Sequence, residues 1–167
     1  QSQTPLTNGT ACTLGTQCAS GFCVDGVCCD TACTATCQAC TATKKGSGVS
    51  GTCGNIKYDT DPDNECSGGA CSGTGLCQYY NGLACSTPTQ CLSNYCVDGF
   101  CCNNFCGGTC QACSAAKKGS GYEGVCGFIP ANTNPDNECG STCNGMGACN
   151  SAPSGTTCVS AADCVTG

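Results

Sequence analysis

The sequence predicts a small disulfide-rich fold: tandem modules of about 73 residues with short β-hairpins, little regular secondary structure, and an extended, rod-like array. Three observations predict it. Cysteine accounts for 26 of 167 residues, far beyond the ~8–10% that marks a disulfide scaffold in a secreted chain. Large apolar side chains are scarce, with no Trp, one Met, four Phe and five Tyr. The cysteine spacing repeats.

So few large side chains cannot offset the conformational entropy of folding by burial alone. Cross-links take over, each closing a loop of ~15 residues being worth roughly 3 kcal/mol in the chain-entropy treatment. Thiols stay reduced in the cytosol, so this cysteine density implies an oxidising compartment, extracellular or at the cell surface. The polar start, Gln1-Ser2-Gln3-Thr4-Pro5, reads as a mature N-terminus left by cleavage of a leader.

The repeat is carried by the cysteines. Unit one holds Cys12, Cys18, Cys23, Cys28, Cys29, Cys33, Cys37, Cys40, Cys53, Cys66, Cys71 and Cys77. Unit two holds Cys85, Cys91, Cys96, Cys101, Cys102, Cys106, Cys110, Cys113, Cys126, Cys139, Cys143 and Cys149. The offset is 73 for the first ten pairs and 72 for the last two, so one residue is deleted just before Cys143. Other text returns as well: Cys37-Gln38-Ala39-Cys40 as Cys110-Gln111-Ala112-Cys113, Lys44-Lys45-Gly46-Ser47-Gly48 as Lys117-Lys118-Gly119-Ser120-Gly121, and Pro62-Asp63-Asn64-Glu65 as Pro135-Asp136-Asn137-Glu138. Cys158 and Cys164 open a third unit at the same offset. The predicted organisation is an N-terminal segment (1–11), repeat one (12–84), repeat two (85–157) and the start of a third repeat (158–167). Ending inside a unit is expected of an array that continues, or of a partial unit completed by another molecule. Cys158 and Cys164 are then expected to pair with each other or with a neighbouring chain.

Within a unit, Phe22-Cys23-Val24-Asp25-Gly26-Val27-Cys28-Cys29 reads as a tight hairpin. Asp-Gly suits the two positive-φ positions of a type I′ turn, with β-formers on both sides. Tyr95 to Cys102 is the same object. Residues 31–45 are expected to hold one short helix, with Cys33, Cys37 and Cys40 on one face at spacings of four and three. The Lys-Lys-Gly-Ser-Gly text reads as a solvated loop. Each unit is expected to split into two lobes, one ending at the vicinal pair Cys28-Cys29 and one running from Cys33 to Cys77. The vicinal cysteines are expected to bond to different partners, one facing each lobe. The pairing itself cannot be read from sequence, since six cysteines already allow about 15 connectivities.

From Cys12 to Cys29 the spacing C-x5-C-x4-C-x4-CC is similar to that of EB and N-terminal Dickkopf-type cysteine-rich modules. Over the whole unit, Ser20-Gly21-Phe22-Cys23-Val24-Asp25-Gly26-Val27-Cys28-Cys29 followed by Cys33, Cys37 and Cys40 resembles the cysteine-rich tandem repeats of secreted and surface proteins in myxobacteria and related bacteria. The resemblance covers both full units. It implies an architecture and a surface location, and it carries no functional residues.

Charge and motif content exclude several functions. Net charge is −6, His is absent, and Lys44, Lys45, Lys57, Lys117 and Lys118 are the whole basic stock. Nucleic-acid binding, which needs a basic footprint, is not expected. No apolar run approaches the ~18 residues of a membrane helix. Without His there is no Ser–His or Cys–His pair, so no catalytic residue is assigned and the chain is expected not to be an enzyme. Cys33-x3-Cys37-x2-Cys40 has the spacing of a four-iron cluster, and Cys37-x2-Cys40 that of a redox pair. Neither has its usual setting here, a large barrel or a thioredoxin-like βαβ unit. A metallothionein-like store is disfavoured by the long gaps from Cys40 to Cys53 and from Cys53 to Cys66. No cofactor is expected. Asp59, Asp61, Asp63 and Glu65 alternate, and their counterparts are Asn132, Asn134, Asp136 and Glu138; oxygen donors in both sets make a weak calcium candidate, against solvated turn acids. Asn8-Gly9-Thr10 is an N-glycosylation sequon, and Ser/Thr-rich stretches would accept O-linked sugar.

The function these readings favour is a structural subunit of an extracellular fibre, stalk or filament, glycosylated, whose partner is itself in a head-to-tail homo-oligomer or a longer covalent array. The alternative is a secreted cysteine-rich binding or adhesion module for a protein or glycan.

Overall fold

The computed structural model describes residues 4–150; Cys158, Cys164 and the expected third repeat lie outside them. The chain forms two compact units, Gln1–Tyr79 and Tyr80–Gly167. Both are small and disulfide-rich, with short antiparallel hairpins and little other regular structure.

In unit one a 3-10 turn at Gly15–Gln17 leads into β1 (Phe22–Val24) and β2 (Val27–Cys29), paired with Cys23 opposite Cys28. Asp25 and Gly26 between them have φ of 53° and 75°, the two left-handed positions the sequence anticipates for a type I′ turn. β3 (Gln38–Ala39) pairs with β4 (Gly54–Asn55), and α1 (Ala42–Lys45) lies between them. β5 (Gly69–Cys71) pairs with β6 (Cys77–Tyr79), and Thr60 bridges to Cys71. In unit two, after a 3-10 turn at Pro88–Gln90, β7 (Cys96–Val97) pairs with β8 (Phe100–Cys101). There β9 (Gln111–Ala112) and β10 (Gly127–Phe128) flank α2 (Ala115–Lys118). Where unit one has β5–β6, unit two keeps a bridge between Cys143 and Cys149. This is the region of the one-residue deletion.

The unit boundary falls at Tyr79/Tyr80, ahead of the cysteine-to-cysteine boundary at 84/85. The cause is a segment preceding each unit's first cysteine that hydrogen-bonds to the hairpin of that unit. Gly9 N–H donates to Cys28 O (2.7 Å), and Cys28 N–H donates to Thr10 O (2.8 Å). In unit two, Gly82 N–H and Leu83 O make the same ladder with Cys101, at 2.8 Å each. The segment before Cys12 is thus tied to the first hairpin, and isolated bridges from Leu6 to Cys18 and from Ala11 to Val27 add to the contact.

Both units share one disulfide connectivity. Unit one has Cys12–Cys23, Cys18–Cys28, Cys29–Cys40, Cys33–Cys53, Cys37–Cys71 and Cys66–Cys77. Unit two has Cys85–Cys96, Cys91–Cys101, Cys102–Cys113, Cys106–Cys126, Cys110–Cys143 and Cys139–Cys149. The vicinal pair divides as expected: Cys28 closes the first lobe, and Cys29 reaches Cys40 in the second. Among the described residues every cysteine is paired and every bridge stays within its unit.

The expected helix is corrected. It lies within residues 31–45, but it is the single turn Ala42–Lys45, beyond all three cysteines. Cys33 and Cys37 have φ of 48° and 56°, left-handed backbone that no right-handed helix accommodates. Their bridges run to Cys53 and Cys71 while Cys40 turns to Cys29, three directions that one helical face cannot serve.

The cores are small and sulfur-rich. In unit one, Ile56 packs with Cys37, Ala39, Cys66 and Cys71; in unit two, Ile129 packs with Cys110, Ala112, Cys139 and Cys143. These two isoleucines are the largest fully buried side chains described. Among the described residues no helix is long and apolar enough to cross a membrane.

Candidate functional site

The densest polar chemistry in each unit gathers around the helix lysines. In unit one Lys44 Nζ bonds Asp25 Oδ1 at 2.6 Å and also pairs with Asp63. In unit two Lys117 Nζ bonds Asp98 Oδ1 at 2.5 Å and pairs with Asp136. The second Asp25 oxygen accepts Cys40 N–H (2.7 Å), and that of Asp98 accepts Cys113 N–H (2.6 Å) and Ser114 N–H (3.2 Å). One turn aspartate therefore ties the first-lobe hairpin to the second lobe at the point where Cys29–Cys40 does so covalently.

Burial pushes the Asp25 carboxyl up, but the Lys44 ammonium and the N–H groups of Cys40 and Thr41 outweigh it and hold the carboxyl below its usual value. Burial pushes Lys44 down, and its bonds to Asp25 and Asp63 reverse this and raise it. Asp98 and Lys117 shift in the same two directions for the same reasons. The sign of the linkage follows. The Asp25 contribution is present above the unfolded carboxylate value of 3.8 and is lost as pH falls through the lower folded value. The Lys44 contribution is present below 10.5 and is lost as pH rises through the higher folded value. Replacing Lys44→Met is expected to cost about 1–2 kcal/mol at neutral pH, between exposed and buried ion pairs. Urea unfolding of the oxidised protein would measure it, and the gap to wild type is expected to narrow as pH falls through the lowered folded value of Asp25. A gap unchanged by acid would sink the assignment.

The Gly-Ser-Gly residues are exposed in both units, as a solvated loop requires, but Lys45 and Lys118 depart from that expectation. Lys45 Nζ donates to Val49 O (2.9 Å) and Thr52 O (2.5 Å); Lys118 Nζ donates to Tyr122 O (2.8 Å) and Val125 O. Each ammonium sits inside its loop and collects the carbonyls that the glycine-rich turn leaves unpaired. Lys118 is buried. Flexible composition masked this, because Gly-Ser-Gly text signals a turn and is silent about what the turn wraps.

The four calcium candidates disperse. Asp59 occupies a left-handed backbone position, φ 58°. Asp61 accepts the N–H groups of Glu65 and Cys66, each at 2.9 Å. Asp63 pairs with Lys44, and Glu65 accepts Cys37 N–H at 2.5 Å. No three of these carboxylates bring an oxygen within 4.8 Å of one another. The exchange seen between repeats has a physical reason other than a metal. Asn132 holds the same left-handed position at φ 66°, and Asn134 Oδ1 accepts Glu138 N–H as Asp61 does, so a neutral amide suffices there. Asp136 and Glu138 keep their charge, one against Lys117 and the other on Cys110 N–H (2.6 Å).

The sulfurs do come together. Cys37 Sγ lies 3.4 Å from Cys66 Sγ and 3.9 Å from Cys77 Sγ, and Cys110 Sγ lies 3.4 Å from Cys139 Sγ. These are contacts between stacked disulfides, whose atoms are already bonded. The iron-cluster spacing resolves the same way, since Cys33, Cys37 and Cys40 belong to three different bridges. Grooves beside the helices are lined by Thr43, Lys44, Lys57, Thr60 and Pro62 in unit one and by Ala116, Lys117, Gly119, Pro130, Thr133, Asn134 and Pro135 in unit two. In each, the helix lysine is committed to two aspartates. Asn8 is exposed on a turn closed by Thr7 Oγ1 and Thr10 Oγ1 at 3.2 Å.

Disulfides at this density fit a secreted, extracellular cysteine-rich module. Compared with known proteins, the chain matches no family model, no curated protein and no solved structure.

Proposed function

We propose that the chain is a structural building block of an extracellular fibre or stalk, and that it performs no catalysis. The observation that carries this is the covalent self-containment of each unit. Twelve cysteines close six bridges in the same order twice over, so units add length without depending on one another for their cores. The nucleophiles support the same reading: the described cysteines are oxidised, the helix lysines are tied up, and the sequence holds no His. The exposure of Asn8 is compatible with a glycan there.

Negative-stain electron microscopy of the native, non-reduced material tests this. Filaments that fray on adding a thiol reductant are the expected result. Small isolated particles under all conditions would overturn the fibre and leave the binding module.

A further inference from the structure

Four sulfurs converge in the second lobe of each unit. In unit one Cys37 Sγ lies 3.4 Å from Cys66 Sγ and 3.9 Å from Cys77 Sγ, and Cys66 Sγ lies 3.9 Å from Cys71 Sγ. Cys71 and Cys77 face each other across the β5–β6 hairpin. In unit two the Sγ atoms of Cys110, Cys139 and Cys143 lie within 4.8 Å of one another, and Cys149 stands opposite Cys143. The long cysteine gaps that speak against a metal store in the sequence are closed by the fold. Cys37 and Cys77 meet beside Ile56, and Cys110 and Cys149 beside Ile129.

This arrangement has the dimensions of a tetrathiolate metal site. Zinc holds thiolates tetrahedrally at about 2.3 Å, which sets the sulfurs roughly 3.8 Å apart. The non-bonded separations fall around that value. The local spacing fits as well. Four residues separate Cys66 from Cys71 and three separate Cys139 from Cys143, both within the ~2–4 of structural zinc ligands. The ligand backbones are also held by bonds that need no cystine. Cys37 N–H donates to Glu65 (2.5 Å), Cys66 N–H to Asp61 (2.9 Å) and Cys71 N–H to Thr60 O (3.0 Å). In unit two Cys110 N–H donates to Glu138 (2.6 Å) and Cys143 N–H to Thr133 O (2.7 Å). Three of the four cysteines in each set are buried, so an ion among them is shielded from water.

We infer that each second lobe has two closed states: two stacked cystines when oxidised, and one zinc tetrathiolate when reduced. The ligands are Cys37, Cys66, Cys71 and Cys77 in unit one, and Cys110, Cys139, Cys143 and Cys149 in unit two. An external dithiol supplies the electrons. Each molecule gives two electrons and two protons to one cystine and leaves as its own cyclic disulfide, so two molecules produce four thiols per lobe. Zn²⁺ then displaces the four thiol protons. Four soft thiolates select zinc over Ca²⁺ or Mg²⁺, which take oxygen ligands. Reduced and without metal, the lobe has one isoleucine and one alanine to fold on; with metal, binding free energy becomes folding free energy. Thiols stay reduced until a chain meets an oxidising compartment, so the zinc state is open to the chain ahead of cystine formation. The inference does not depend on the fibre reading, which concerns the oxidised chain.

Native mass spectrometry and alkylation mapping test it on the full chain, reduced, freed of reductant under anaerobic conditions and titrated with Zn²⁺. Two zinc ions per chain are expected, with an apparent Kd below roughly 100 nM at neutral pH. Brief iodoacetamide treatment is expected to leave the eight named cysteines unmodified while the others are alkylated. The variant Cys66→Ser/Cys77→Ser/Cys139→Ser/Cys149→Ser is expected to lose both ions. The first-lobe variant Cys12→Ser/Cys23→Ser/Cys85→Ser/Cys96→Ser removes as many thiols and is expected to keep both. Weaker binding by wild type, protection spread evenly over all cysteines, or a first-lobe variant that loses as much zinc as the second-lobe one overturns the inference.

Discussion

Complete reduction of the native protein is expected to unfold both units, and removal of one bridge, Cys37–Cys71, is expected to be the most damaging single cystine deletion in unit one. The fold has almost nothing else to stand on, since the second lobe's core is one isoleucine, one alanine and half-cystines. Cys37–Cys71 closes a sequence separation of 34, against 11 for Cys66–Cys77. In the chain-entropy treatment these are worth about 4 and about 3 kcal/mol. The longer bridge also lies at the centre of its lobe: Cys37 N–H is held by Glu65, and Cys37 O accepts Ile56 N–H at 2.8 Å. Removing it opens a void beside Ile56, which adds a cavity cost of its own. Urea unfolding of Cys37→Ala/Cys71→Ala beside Cys66→Ala/Cys77→Ala would rank them, and an equal or smaller loss for the first pair would refute the argument. The bridge Cys29–Cys40 tests a different property. It is the covalent link between lobes, so deleting it should separate one cooperative transition into two rather than lower both alike.

Much of this architecture was legible in the sequence because cysteine spacing and Asp-Gly turns are local signals. The hairpin register at Asp25-Gly26, the two lobes and the division of labour between Cys28 and Cys29 all follow from residues within a short stretch. What escaped was long-range. The Lys44 triad joins text from residues 25, 44 and 63. All three members recur in unit two, whereas Asp59 and Asp61 turn into Asn there; that contrast was the available sign that charge matters at Asp63 and not at Asp61. The helix was misplaced because a four-and-three cysteine spacing mimics a helical face, while the direction of each cystine, which decides the backbone, is not written locally. The pairing of the segment before each first cysteine was not legible, because Thr7-Asn8-Gly9-Thr10 has turn composition, forms a turn, and finds its partner Cys28 only across the fold.

Gly51→Ala, and its counterpart Gly124→Ala, are expected to cost about 3–5 kcal/mol although no side chain is lost. Each glycine marks the crossing of the segment before the first cysteine with the second lobe. Gly51 has φ of 98°, and a Cβ there would lie 2.2 Å from Gly9 N and 2.6 Å from Asn8 C. Gly124 repeats it, 2.0 Å from Gly82 N. The obstruction is backbone on both sides, so no rotamer relieves it. The same residue is a hydrogen-bond junction: Gly51 N–H donates to Cys40 O (2.9 Å), and Gly51 O accepts Asp30 N–H (3.0 Å). Pushing it outward therefore loosens the turn at Asn8-Gly9, the vicinal-pair segment and the second lobe together. The positive φ alone accounts for roughly 1–3 kcal/mol, and the remainder is the steric term. Amide exchange separates the two. Faster exchange at Gly9 and Cys28 as well as at Gly51 would show that the crossing has been forced apart. Loss of protection at Gly51 alone would mean that only local backbone strain was introduced, and that the segment before Cys12 docks without help from the second lobe.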